Sequence, residues 1–146
     1  MREILFRGKR IDNGEWIIGY YVKFLTDKNK TQYVIYSGYA ETDCDDIYPD
    51  FFEVDPETVG QYTGLSDKNG KKIFEGDIVR YPVYQGTCRG EDIHQVVFER
   101  RGGSAYFGIT MDDIETWYFC MSVPADLMEV IGNIYDSPEL IGGEKQ

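Results

Sequence analysis

Thr58-Val59-Gly60-Gln61-Tyr62-Thr63-Gly64-Leu65-Ser66-Asp67-Lys68-Asn69-Gly70-Lys71-Lys72-Ile73-Phe74-Glu75-Gly76-Asp77-Ile78-Val79-Arg80-Tyr81 is the stretch that decides the fold. Its centre, Asp67-Lys68-Asn69-Gly70, is the strongest local signal in the chain. Asn-Gly tolerates the positive φ values that a type I′ turn demands, so this segment is expected to close a hairpin. Upstream, Thr58 to Thr63 reads as a short extended segment. Downstream, Glu75-Gly76-Asp77 is a second turn, leading into a strand over Ile78-Val79-Arg80-Tyr81.

The same period-2 patterning runs outward in both directions. On the N-terminal side, Ile4-Leu5-Phe6 opens a strand, Asp12-Asn13-Gly14 is a turn, and Trp16 to Val22 is a second strand with Gly19 as a bulge position. Those two strands form a hairpin, and Tyr33-Val34-Ile35-Tyr36 is a third strand. On the C-terminal side, Val96-Val97-Phe98 and Ala105-Tyr106-Phe107-Gly108-Ile109 flank Arg101-Gly102-Gly103 as another hairpin. Trp117-Tyr118-Phe119 and Glu129 to Tyr135 are the last strands. Helix is expected only from Met111 to Thr116 and in the tail after Ser137-Pro138. Many short strands between Gly and Asn turns give an all-β class of short antiparallel strands, closed as a barrel or roll. Trp16, Tyr20, Tyr62, Ile78, Ile131 and Ile134 are its expected core. Trp16, Tyr20 and Trp117 would otherwise line a binding surface.

The chain has 146 residues, with 15 Lys+Arg against 26 Asp+Glu and a net charge of −11. That length suits one domain, or two small ones. With 12 Tyr, 8 Phe and 2 Trp it is too aromatic for an acidic disordered chain. No apolar run approaches the ~20 residues that span a bilayer, and Met1-Arg2-Glu3-Ile4 lacks a secretory h-region. Cys44, Cys88 and Cys120 are odd in number and widely spaced, which predicts free thiols in a reducing cytoplasm. The acids are concentrated: residues 41–57 hold eight and no base, whereas residues 1–40 hold seven bases and four acids. Pro49 and Pro56 break that acidic stretch, which is expected to be a loop and the boundary between an N-terminal β subdomain (1–56) and a second domain (57–146). The overall field disfavours direct nucleic-acid binding.

Catalytic patterns are absent. Gly64…Gly70-Lys71-Lys72 departs from the phosphate loop in glycine spacing and in placing Lys72 where Ser or Thr would bind magnesium. Glu41-x-Asp43-x-Asp45 begins like a calcium loop, but Asp46 and Phe52 stand where Gly and Glu belong. His94 is the one histidine; a Cys88–His94 dyad has nothing to orient it, and no G-x-S-x-G presents a serine. The carboxylate pairs Asp45-Asp46 and Asp112-Asp113 are what chance delivers among 26 acids. No catalytic residue, cofactor site or metal site is assigned.

Three segments taken together carry a resemblance. They are Leu5-Phe6-Arg7-Gly8-Lys9-Arg10 with Gly14-Glu15-Trp16 and Gly19-Tyr20; Pro56 to Leu65 running on through Asp67 to Lys71 and Phe74 to Val79; and Glu129 to Tyr135 with Ser137-Pro138-Glu139-Leu140. In this order they resemble the YopX family of phage and prophage proteins. The resemblance implies a mostly-β protein whose C-terminal part, from about Glu57, is an SH3-like barrel, and a mobile-element origin in a bacterial cytoplasm. It supplies no reaction. The expected function is a non-catalytic β-barrel module that binds a protein partner and self-associates as a homo-oligomer, without a membrane. The alternative is an acidic inhibitor that occupies a basic nucleic-acid-binding surface of a host or phage enzyme through Asp43, Asp45, Asp46 and Asp50.

Overall fold

The computed structural model describes residues 1–41, 47–85, 88–111, 115–118 and 125–142. They are all-β apart from one short helix and two 3-10 turns, and they divide into two compact units, 1–62 and 63–146.

In the first unit, β1 (Phe6–Lys9) pairs antiparallel with β2 (Trp16–Leu25), Phe6 opposite Gly19 and Lys9 opposite Trp16. The strand begins at Phe6, later than Ile4, and just ahead of it the Leu5 carbonyl accepts from the Tyr62 N–H of β5 at 2.8 Å. β2 pairs with β3 (Thr31–Glu41), and β3 with β4 (Ile47–Glu53). A 3-10 turn at Pro56–Thr58 then leads into β5 (Gly60–Ser66), which lies against β1. The turn is held at both ends: Asp55 Oδ1 accepts from the Glu57 N–H at 3.0 Å, and Thr58 Oγ1 accepts from the Lys9 N–H at 2.9 Å. Ile35, Val54, Val34, Leu5 and Tyr62 form the buried apolar set of this unit.

Two expectations are corrected here. Part of the acidic stretch is a strand, β4, with Pro49 opposite Tyr39. Proline lacks the N–H that a central strand needs, and β4 tolerates it because it is the terminal strand of its sheet. The bulge falls in β3, between Tyr36 and Gly38, while the β2 registers run without a shift through Gly19.

In the second unit, β5 continues beside β6 (Lys72–Phe74). A separate antiparallel sheet has the order β10-β9-β8-β7-β11. Its strands are β7 (Asp77–Gln85), β8 (Cys88–Arg101), β9 (Ser104–Met111), β10 (Glu115–Tyr118) and β11 (Glu129–Asn133). β8 and β9 close tightly, Arg101 opposite Ser104, around Gly102-Gly103. Ile73, Val79, Val96, Ile109, Ala125 and Met128 make the core, with Tyr81 and Val130 packed on it. The tail forms the expected helix, α1 (Glu139–Gly142). The helix expected from Met111 to Thr116 is replaced by strand at both ends, Thr116 pairing with Thr110. Thr116 is β-branched and Trp117 and Tyr118 are aromatic, residue types enriched in strands.

The hairpin at Asp67 closes as expected but not as type I′. Gly70 donates to the Asp67 carbonyl at 3.0 Å, and Asp67 donates to the Lys71 carbonyl at 2.8 Å. Gly70 has φ 79° and Asn69 is not left-handed, so this is a three-residue loop with one left-handed position. The Thr26–Lys30 loop repeats the design: Asn29 donates to the Thr26 carbonyl, Thr26 to the Lys30 carbonyl, and Asn29 takes φ 55°. Asparagine tolerates that region where most side chains do not. Asn29→Ala is therefore expected to cost about 1 kcal/mol while Asn29→Gly costs nothing, as read by chemical denaturation.

Candidate interaction surface

β2 carries apolar residues on both of its alternating faces, with Lys23 the one charge, and a strand in one sheet can turn only one face to the core beside it. Ile18, Tyr20, Val22 and Phe24 are exposed, and the β2 register sets Tyr20 opposite Tyr36, which in turn lies opposite Phe51 on β4. The rings follow that register. Tyr20 and Tyr36 stack at 6.4 Å between centroids, and Phe51 tilts against Tyr36 at 5.1 Å. Cross-strand aromatic pairs of this kind stabilise the sheet by a few tenths to 1 kcal/mol each. They also leave a continuous apolar row at the surface, with Tyr20 57% and Phe51 53% exposed. Tyr20, expected in the core, is a surface residue; Ile78 is fully buried and Tyr62 buried as expected, and Trp16, Ile131 and Ile134 are half-buried.

Cations flank the row at its β1 end. The Arg7 guanidinium lies 4.8 Å and the Lys9 ammonium 5.5 Å from the Trp16 ring centre, so the ring is held by two cation–π contacts. On the other face of the sheet, Phe6, Tyr21 and Tyr33 make a second line, at 5.6 Å and 6.2 Å. Burial raises the Tyr21 hydroxyl above its ordinary pKa, as does neighbouring Tyr33. An open cleft of about 610 Å3 runs beside Phe6, Tyr20 and Tyr21 under the segment Met1–Ile4. Its wall is mainly apolar side chain, which suits packing against another chain.

The acidic candidates do not form a site within the described residues. Asp50 stands on β4 opposite Gly38, where its Oδ2 accepts from the Ser37 hydroxyl at 3.3 Å. Asp43, Asp45 and Asp46 lie outside the described residues, as do Cys44 and Cys120. Ile47 to Phe52, the second half of the calcium-like segment, is strand. Among the described residues no three His, Cys, Asp or Glu side chains converge to hold a metal ion.

A Cys88–His94 dyad is ruled out by the backbone. Both residues lie in β8, six positions apart, and an extended strand separates them by roughly 20 Å. His94 is buried, and its Nδ1 donates to the Thr110 carbonyl oxygen at 2.6 Å, tying β8 to β9. A carbonyl only accepts, so the proton sits on Nδ1. That is a structural bond.

Arg10 and Asp12 form an exposed bidentate pair at 2.9 and 2.5 Å, and the Arg10 guanidinium stacks 4.1 Å above the Phe52 ring. The hydrogen bond from Arg10 holds the Asp12 carboxyl below its ordinary pKa. The pair orders the Arg10–Glu15 turn and offers no reactive group.

Tyr20, weighed for the core and for a binding surface, is at the surface, while its partners in the row, Tyr36 and Phe51, are set by the strand registers. The signal of the row is present in residues 18–24, where Ile18, Tyr20, Val22 and Phe24 are apolar at every alternate position while the other set still offers Tyr21 to the opposite face.

Three comparisons bear on identity. The family model for the YopX protein matches residues 5–142. Among curated proteins nothing matches. A solved structure, protein EF1440 from Enterococcus faecalis, is similar at 24% identity and TM-score 0.55, over 96% of this chain and 99% of that one. That likeness concerns the fold.

Proposed function

This chain belongs to the YopX family, and from that premise we propose that it is a non-catalytic β module, encoded by a phage or prophage, that binds a protein and self-associates in the bacterial cytoplasm. The row of exposed Ile18, Tyr20, Val22, Phe24 and Phe51, joined through half-buried Tyr36, carries this reading. Such a row offers on the order of 400 Å2 of apolar surface, about half of the ~800 Å2 that each partner contributes to a standard interface. Monomeric proteins seldom leave a patch of that size contiguous unless it is used. The row, rather than strand addition at β4, is the contact surface, because Pro49 on that terminal strand opposes edge pairing.

Light scattering after gel filtration, at tens of micromolar protein, tests the reading. The wild type is expected above the 16.9 kDa of one chain, and Ile18→Ser with Tyr20→Ser at or near it. A wild-type monomer at every concentration removes self-association. The acidic-inhibitor reading is supported by the eight acids of residues 41–57. It requires a basic partner that is released by salt, since screening weakens exposed charge pairs. Changing Asp43, Asp45, Asp46 and Asp50 to Asn must then abolish capture of that partner.

A further inference from the structure

The end of the β2–β3 hairpin differs from its root. At the root, neighbouring residues on opposite faces, Val34 and Ile35, are 7% and 0% exposed. Toward the tip, the equivalent neighbours Phe24 and Leu25 are 42% and 69% exposed. Successive strand residues point to opposite faces, so both faces of the ribbon stand in solvent there. The registers give the reason. β1 leaves β2 at Gly19, and β4 ends at Glu53 opposite Val34, while β2 and β3 continue paired to Leu25 and Thr31. The ribbon is closed by the ordered Thr26–Lys30 loop, where the Thr26 hydroxyl accepts from the Lys30 N–H at 3.3 Å. A preformed arm loses little freedom when it docks.

We propose that this ribbon, Val22–Val34, is an arm by which one copy holds a second copy of the same chain, at the strip Asp50–Glu57. The inference rests on the self-association reading above and names its contact.

Charge selects the occupant. The arm carries Lys23, Lys28 and Lys30 against Asp27, in a chain of net charge −11. Two such chains repel unless the surfaces that meet are neutral or opposite. The strip supplies the opposite sign, with Glu53, Asp55 and Glu57 exposed along the same segment as the exposed Phe51. Phe24, on the face that also carries Tyr20 and Val22, meets Phe51, and the lysines meet the acids. Each copy has one arm and one strip in the same unit, so a twofold axis makes the arm–strip contact twice.

Charge reversal tests this by light scattering and sedimentation. Lys28→Glu with Lys30→Glu, and separately Glu53→Lys with Glu57→Lys, are each expected to weaken association at least tenfold. All four positions are exposed, and unchanged circular dichroism and melting verify folding. Mixing the two variants in equal amounts is expected to restore a mixed assembly, because each then offers what the other lacks. Variants that associate as tightly as wild type overturn the arm and leave self-association standing. Variants that weaken but fail to recover on mixing overturn the pairing of arm with strip. A wild type monomeric throughout removes the self-association reading first, and the arm with it.

Discussion

Asp67→Ala is expected to lower the stability of the second unit by about 3 kcal/mol, which for a unit of this size corresponds to a melting temperature roughly 12–24 °C lower. The residue is 5% exposed, and its carboxylate does the work of two connections. Oδ1 accepts from the Asn69 and Lys71 N–H groups, each at 2.9 Å, which closes the hairpin loop. Oδ2 accepts from the Val130 N–H at 3.0 Å, which ties the loop to β11, 63 residues later. Beside it the Lys68 N–H donates to the Met128 carbonyl at 2.9 Å. Truncation strands three donors at once, and hydrogen bonds to a charged acceptor are the costly ones to lose. Asp67→Asn keeps one carbonyl acceptor and is expected to fall about midway.

The acid limb follows from the same geometry. Burial by itself would raise the Asp67 pKa, but the N–H groups of Val130, Lys71 and Asn69, with the Lys71 charge, outweigh it and hold the carboxyl below its ordinary value of 3.8. A carboxyl lowered in the folded state adds stability that is complete above the unfolded pKa. That contribution is lost as pH falls through the folded value. Wild type is therefore expected to lose stability progressively below about pH 4, and Asp67→Ala to show a smaller loss over that window. Equal acid limbs in urea titrations at pH 2.5 and 7 would assign the shift elsewhere.

Gly19→Ala is expected to cost the first unit 3 kcal/mol or about that, and to deplete soluble protein. A Cβ at this position would overlap the Tyr36 carbonyl oxygen and lie 2.8 Å from its carbon and 3.0 Å from Ile35 Cγ2. These are mostly backbone atoms of the neighbouring strand, so no side-chain rotation relieves the clash. β3 pairs beside β2 and approaches it closely just before its own bulge at Tyr36–Gly38, and the glycine makes room for the Tyr36 carbonyl. Gly103→Ala is the control: a Cβ there meets nothing within 4 Å and φ is not left-handed, so stability should change by less than about 0.5 kcal/mol. Equal midpoints for the two variants in urea would show that β3 moves away freely.

The turns were legible because their chemistry is local. Asp67-Lys68-Asn69-Gly70 and Arg101-Gly102-Gly103 carry their closing residues within a few positions, and both close hairpins. The turn type at Asp67 was not legible, since it depends on a side chain that also answers to Val130 on another strand. β4 was hidden by Pro49 and by its acids, which read as loop in any context except the terminal strand of a sheet. The interaction row was half legible. Its alternation is written in residues 17–24, yet alternation does not say which face is covered.

Period-2 patterning, aromatic content and turn residues by themselves determined that this chain is all-β, that it carries hairpins at those turns, and that its catalytic motifs are missing. Only the tertiary structure decided that Tyr20 faces solvent while Ile35 is sealed, that the β2–β3 ribbon outruns its neighbours, and that Gly19 is required by the close approach of the paired strand β3. Propensity and turn geometry act over three to five residues, whereas coverage of a face is set by whichever distant strand packs upon it.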